Sequence, residues 1–322
     1  MHYLGIDLGG TNIVAGVVDE EGNILARASC KTRVPRPMEA ICDDMANCAV
    51  EAAQVAGIPI QEFPWIGLGA PGACDSKTGM IDFSTNLFFE NWPVVQMMEE
   101  RLQHRVFLTN DANAAAFGEY IAGAAKGTRD SVTVTLGTGV GGGIIIDGKI
   151  YSGYNDAGAE IGHMVIEVGG RPCTCGRRGC WEAYSSATGL IEMTKEAIQE
   201  NQSNPHCALI QMTNGNLKKV NGLTAFDAMR QGDRVGTAVV ERYISYLGCG
   251  LVNIVNIFQP EIICLGGGIS REGETLLKPL RAYIERERYS RHTTRQTALC
   301  QAKLGNDAGI IGAALLGKSF GC

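Results

Sequence analysis

The pattern of residues 3–23, an apolar strand, a glycine turn and a second apolar strand, returns at residues 131–149. In the first copy Tyr3 to Asp7 reads as a buried strand, Gly9-Gly10-Thr11-Asn12 as a turn and Ile13 to Val18 as the returning strand of a hairpin. In the second, the stretch from Ser131 to Lys149 repeats strand, Gly/Thr turn, strand and turn. A duplicated unit restricts the fold to two related halves, and 322 residues suit two domains of ordinary size. Two lobes invite a cleft between them.

The rest of the chain alternates strands with helices, which indicates an α/β architecture, while the hairpins make the sheets mixed. Helices are expected at Met38 to Ala56, Val94 to Leu102, Ala112 to Ala125, Ala187 to Glu200, Ala225 to Arg230, Val235 to Phe258, Glu274 to Glu287 and Ala308 to Lys318. Further strands are expected at Ile24 to Ser29, Trp65 to Gly69, Val106 to Thr109, Glu261 to Leu265 and Thr297 to Ala302, with a long polar and aromatic loop running through Trp92.

Four side chains that favour zinc lie within eighteen residues: His163, Cys173, Cys175 and Cys180. Thiolate and imidazole donors suit a tetrahedral ion, and Cys₃His fills all four positions, leaving no open site for water. Gly176 and Gly179 permit the tight turns of a ligand knuckle. The bland readings are ordinary reduced thiols or a Cys173/Cys175 redox pair, but a redox pair is usually Cys-x-x-Cys at a helix start. Glu160 and Glu182 bracket the cluster, so a structural ion would fix both carboxylates.

Three glycine-rich turns each follow an apolar strand, at residues 7–12, 136–143 and 265–270. Backbone N–H groups of glycine can turn toward an anion, and Thr11 and Thr138 could add hydroxyl donors. None fits a Walker loop or a good dinucleotide fingerprint. A single turn is more simply a hairpin; three together favour a nucleotide. Asp7, at the end of the first strand, either holds magnesium or caps a turn. Asp111, at a strand-to-helix junction, either accepts a proton from a substrate hydroxyl during phosphoryl transfer or caps the helix. Asn86, Asn110, Glu160, His163 and Glu182 are able to read the hydroxyls of a small polyol or sugar, though each alone also suits a solvated surface.

The net charge of −6 offers no general attraction for nucleic acid or an anionic membrane. No apolar run is expected to span a bilayer; the candidate near Leu247 to Phe258 is interrupted by Gly248, Gly250, Asn253 and Asn256. Met1 to Asp7 does not look like a signal peptide, and twelve cysteines without one point to reduced thiols plus a metal in the cytoplasm.

These residues resemble the ROK family of sugar kinases and repressors, over nearly the whole chain from Asp7-Leu-Gly-Gly-Thr-Asn12 to the stretch Leu304 to Ala313. The most specific portion is Glu160-Ile-Gly-His163 with Cys173-Thr-Cys175-Gly-Arg-Arg-Gly-Cys180-Trp-Glu182. The resemblance implies a two-lobed actin-like ATPase (ribonuclease H-like) fold, with lobes of residues 1–116 plus 306–322 and 117–305, and transfer of the ATP γ-phosphate to the 6-hydroxyl of glucose with Mg2+. It implies Asp111 as general base; Asn86, Asn110, Asp111, Glu160, His163 and Glu182 as sugar contacts; and His163, Cys173, Cys175 and Cys180 as Zn2+ ligands. ATP is expected against Asp7, Gly9, Gly10, Thr11, Asn12 and Thr138, with the nucleoside near Gly267 and Gly268, in a homodimer or homotetramer. Family members often have Asn-Leu followed by Pro, Gly or Asn in the sugar loop; this chain departs with Asn86-Leu-Phe88-Phe89-Glu90-Asn-Trp92. The other readings are a kinase for N-acetylmannosamine, N-acetylglucosamine, fructose or allose, and a sugar-responsive repressor. Such repressors carry an amino-terminal helix-turn-helix domain, for which a first strand starting by residue 3 is expected to leave no room.

Overall fold

The computed structural model describes residues 1–84, 87–204 and 206–321. The chain divides into two compact units: Met1–Thr133 with Gly142–Ala159 and Ala302–Cys322, and Val134–Gly141 with Glu160–Gln301. The lobes expected from sequence divide the chain at other points.

In the first unit β1 (His2–Leu8), β2 (Asn12–Asp19) and β3 (Ile24–Lys31) form an antiparallel meander. Helix α1 (Met38–Ala56) buries Ile41, Met45, Cys48, Ala49 and Ala52, the three- and four-residue spacing that turns one helical stripe toward a sheet. Gly57, at φ 71°, ends it in the left-handed conformation. Strand β4 (Ile66–Ala70), buried throughout, runs parallel to β1. The segment expected to be a loop instead holds β5 (Ala73–Asp75), β6 (Met80–Ser84) and β7 (Phe89–Trp92), a small antiparallel sheet. Helix α2 (Val94–Leu102) leads to β8 (Val106–Asn110), parallel to β4, and then to α3 (Asp111–Ile121), which stops earlier than expected.

The duplication is visible in strand order. The first sheet runs β3-β2-β1-β4-β8. The second contains β9 (Ser131–Leu136), β10 (Val140–Ile146), β11 (Lys149–Tyr151), β12 (Ile262–Gly266) and β13 (Ala298–Gln301), in the order β11-β10-β9-β12-β13. Counted within its own sheet, each reads third, second, first, fourth, fifth. The second unit adds α4 (Glu182–Ser185), α5 (Ala187–Glu200), α6 (Ala208–Thr213), α7 (Thr224–Arg230), α8 (Arg234–Phe258) and α9 (Glu274–Glu287). At 25 residues α8 is long and apolar enough to cross a membrane, unlike the short run expected from sequence, and 56% of its most apolar window is buried inside the protein. Val240, Tyr243, Leu247, Leu251 and Ile254 supply that buried face.

The chain closes with α10 (Ala308–Ala314), which returns to the first unit. A Cβ on Gly312 would lie 1.7 Å from the Ala114 carbonyl oxygen of α3, and one on Gly67 1.7 Å from the Ala313 carbonyl oxygen. Only glycine allows backbone to meet backbone this closely, so these residues fix α10 against α3 and β4 together. Glu119, almost fully buried in α3, accepts the N–H groups of Leu304 (2.7 Å), Lys303 (3.1 Å) and Ala124 (2.7 Å), tying the approach to α10 to the same helix.

Candidate active site

The close packing of α10 determines where two carboxylates of the first unit lie. Asp7 is within β1, paired in register with Val14 and Gly69, so it is a strand residue rather than a turn cap. A Cβ on Gly309 of α10 would come within 2.8 Å of its Oδ2, which leaves glycine as the residue that makes room for the carboxylate. Burial, and then the charge of Asp111, push the Asp7 carboxyl up to about 6. Asp111 opens α3, and burial raises its pKa too, against the lowering effect of the Ala112 N–H that donates to its Oδ1 at 2.9 Å.

The capping role that competes for Asp111 belongs to its neighbour. Asn110 Oδ1 accepts the N–H groups of Ala112 (2.8 Å) and Asn113 (3.4 Å), while its Nδ2 donates to the Gly72 carbonyl at 3.0 Å. Asn110 is therefore the N-cap of α3, and Asp111, the first residue inside the helix, shares the Ala112 N–H with it. Among the described residues, Asn110 keeps one amide hydrogen beyond these bonds. Asn86 lies outside the described residues.

The first glycine turn is held from β3 and the residue after it. Gly9 N–H donates to Asn12 O (2.9 Å), Thr32 Oγ1 donates to Gly9 O (2.6 Å), and Lys31 Nζ donates to Asn12 Oδ1 (2.8 Å). Gly10 is half-buried and Thr11 is exposed. Thr32 escaped sequence reasoning because a lone threonine at a strand end carries no signal of its own.

In the second unit one ligand atom from each of His163, Cys173, Cys175 and Cys180 lies within 4.8 Å of the others. His163 Nδ1 is 3.6 Å from Cys173 Sγ, and Cys175 Sγ is 3.7 Å from Cys180 Sγ. Tetrahedral zinc with bonds of about 2.3 Å to sulfur and 2.0–2.1 Å to nitrogen requires edges of about 3.7 Å between sulfurs and about 3.6 Å from sulfur to nitrogen. The donor chemistry and these two edges fit that ion. Because Nδ1 faces the thiols, Nε2 is the ring nitrogen left for another partner. The loop is pinned by an isolated bridge between Val165 and Cys180 and by Trp181, fully buried, whose Nε1 donates to Tyr246 O at 3.0 Å. Glu160 is exposed, and its carbonyl accepts the His163 N–H at 3.0 Å.

Glu182 faces the second glycine turn: its Oε2 accepts the Val140 N–H at 3.0 Å, and a Cβ on Gly139 would fall 2.2 Å from that oxygen. Thr174 Oγ1 donates to the other oxygen, Oε1, at 3.4 Å. Thr138, at the tip of the turn, is exposed. The third turn packs against the end of β9. Gly267 has φ 84°, and a Cβ there would sit 2.4 Å from the Leu136 carbonyl oxygen, while the following Gly268 is exposed. The structure thus groups Asp7, Asn110 and Asp111 with the first turn in one unit, and the four metal-type ligands and Glu182 with the second turn in the other.

A comparison with protein families matches residues 3–319 to the ROK family. The chain belongs to the ROK family. Among its ROK relatives, the glucokinase of Thermotoga maritima is 36% identical over 321 residues, covering 99% of this chain and 98% of the relative. The glucokinase of Streptomyces coelicolor is 38% identical over 315 residues, with coverage of 98% and 97%. Among solved structures, a ROK glucokinase from Streptomyces griseus in complex with glucose and AMPPNP is 36% identical, with a TM-score of 0.80 and coverage of 98% of this chain and 99% of that one. The expected α/β fold with duplicated mixed sheets is the ROK fold, the actin-like ATPase architecture.

Proposed function

We propose that this ROK protein is a glucokinase, an ATP-dependent kinase that phosphorylates the 6-hydroxyl of glucose. The observation that carries the reading is the buried Asp111 carboxyl at the first turn of α3, next to the N-cap Asn110 and raised in basicity by burial. Near-full-length similarity to glucokinases supports the choice of sugar.

In this reading the 6-hydroxyl oxygen of glucose forms a bond to the γ-phosphorus of ATP as the bond to the β,γ-bridging oxygen breaks. Asp111 takes the hydroxyl proton, and ADP leaves with the bond's electron pair. An acceptor whose pKa lies above the ordinary carboxylate range holds that proton more readily, while positioning supplies most of the remaining rate. Asn110 offers its spare amide hydrogen, and Glu160, His163 Nε2 and Glu182 are assigned to sugar hydroxyls, with Asn86 as a further contact. Gly9, Gly10, Thr11, Asn12 and Thr138 are assigned to the phosphates, Gly267 and Gly268 to the nucleoside. Mg2+, held by Asp7 directly or through water, would neutralise phosphate charge. Zn2+, held by His163, Cys173, Cys175 and Cys180, would fix the loop that carries the sugar contacts.

We assign the cytoplasm as the compartment, in keeping with eleven described cysteines that are all free thiols, and a homodimer or homotetramer as the assembly. ADP release measured across glucose, fructose, allose, N-acetylglucosamine and N-acetylmannosamine tests the reading. Glucose should give the highest kcat/KM. A higher value for an N-acetylhexosamine would replace the substrate, and no ADP release with any of these sugars would remove the activity.

A further inference from the structure

The tip of the second glycine turn is bonded to the chain that follows the metal loop. Gly137 N–H closes the turn on Gly139 O at 3.0 Å, a short-range bond that does not locate the turn in the unit. Besides its place between β9 and β10, three other bonds tie it to that chain. Glu182 Oε2 accepts the Val140 N–H at 3.0 Å, the Ala187 N–H donates to Gly137 O at 2.8 Å, and Thr188 Oγ1 donates to Thr138 O at 2.8 Å. Glu182 is two residues beyond Cys180, and Ala187 and Thr188 open α5 a few residues later. Gly139 has no side chain in the way of the Glu182 carboxylate, so loop and turn meet without an intervening layer.

We propose that Thr188 and Glu182 are positioning residues for nucleotide, which hold the Thr138 turn at its phosphate and make the metal loop a support for ATP as well as for sugar. This rests on the assignment of Thr138 to phosphate in the kinase reading. Thr188 is exposed and lies outside every group assigned to sugar, metal or proton transfer. Among the described residues its hydroxyl bonds to the Thr138 carbonyl. A hydroxyl removed there costs one hydrogen bond of about 0.5–1.5 kcal/mol, which is roughly 2- to 13-fold in an equilibrium constant. Glu182 acts on both sides, so its truncation should weaken sugar and nucleotide together.

The test is calorimetric binding of AMPPNP with Mg2+, and separately of glucose, to zinc-loaded protein. Thr188→Val should raise the AMPPNP Kd about fivefold, with the glucose Kd unchanged; Thr188→Ser, which restores the hydroxyl, should return it to the wild-type value. Glu182→Ala should weaken AMPPNP more than Glu182→Gln, whose amide oxygen still accepts the Val140 N–H. An AMPPNP Kd for Thr188→Val within experimental error of wild type, or equal losses for Thr188→Val and Thr188→Ser, overturns the positioning role and leaves the kinase reading standing. If wild-type protein binds no AMPPNP, the kinase reading falls and this inference with it.

Discussion

Asp7 is a charge kept where the folded chain disfavours it, and replacing it should reveal that cost. Its carboxyl is pushed from an ordinary 3.8 to about 6 by burial and by the charge of Asp111. The difference of about 2.2 corresponds to about 3 kcal/mol at 1.36 kcal/mol for each tenfold step. The folded pKa lies above the unfolded one, so between about pH 4 and pH 6 the folded chain keeps a proton that the unfolded chain releases. This group's favourable contribution is complete below pH 4, is lost as pH rises to 6, and stays lost above it. Asp7→Asn removes the ionisation without changing side-chain size. In protein free of magnesium and nucleotide, the variant should therefore melt roughly 5 °C above wild type at pH 8 and at the same temperature as wild type at pH 4. Melting curves at half-unit pH intervals, followed by circular dichroism, give the comparison. A variant less stable than wild type at pH 8, or a difference independent of pH, would refute the reasoning. Kinase turnover should fall in the same variant, because Asp7 is assigned to magnesium.

Two structural elements give further expectations. Cys175 is exposed, so Cys175→Ser should lose little packing, yet elemental analysis should show zinc falling from about one ion per chain and the glucose KM should rise. Full zinc content with unchanged KM would separate the cysteine from both roles. Gly312→Ala forces a methyl into the Ala114 carbonyl, a backbone contact that relaxes only if α10 moves from α3. We expect destabilisation of about 3 kcal/mol, seen as a lower melting temperature, and an unchanged melting temperature would contradict the packing described for α10.

Regular elements were readable wherever one physical signal dominated. Helices α1, α2, α5 and α9 match the apolar spacing residue for residue, and the repeated hairpin marks the two related halves, though not their strand order. Strands β5 to β7 were hidden because they are short and half solvated: in β6 only Ile81 and Ser84 are buried, which leaves no alternating apolar run. Helices α4 and α6, of four and six residues, are too short for a periodic pattern to register. The sequence predicts a closing helix to Lys318, but α10 ends at Ala314 and a 3₁₀ turn, Leu316–Phe320, follows.

Site residues divide along the same line. The Cys₃His spacing is local, and four ligand atoms do converge. Whether Asn110 or Asp111 caps α3 is not legible in Asn-Asp, since both side chains cap helices well. Thr32, Glu119 and Thr188 act across 23, 184 and 50 residues of sequence, so nothing adjacent to them announces their partners.

The central claim is that Asp111 removes the proton from the glucose hydroxyl during transfer from ATP. Its most direct test is turnover of Asp111→Asn with saturating glucose and Mg2+-ATP, with glucose binding to the same protein measured by calorimetry. The account predicts a fall in kcat of about 10²- to 10⁴-fold with the glucose Kd within a few-fold of wild type. A variant that keeps more than about a tenth of wild-type turnover would contradict it, since a general base within the ordinary range of such effects costs far more when removed.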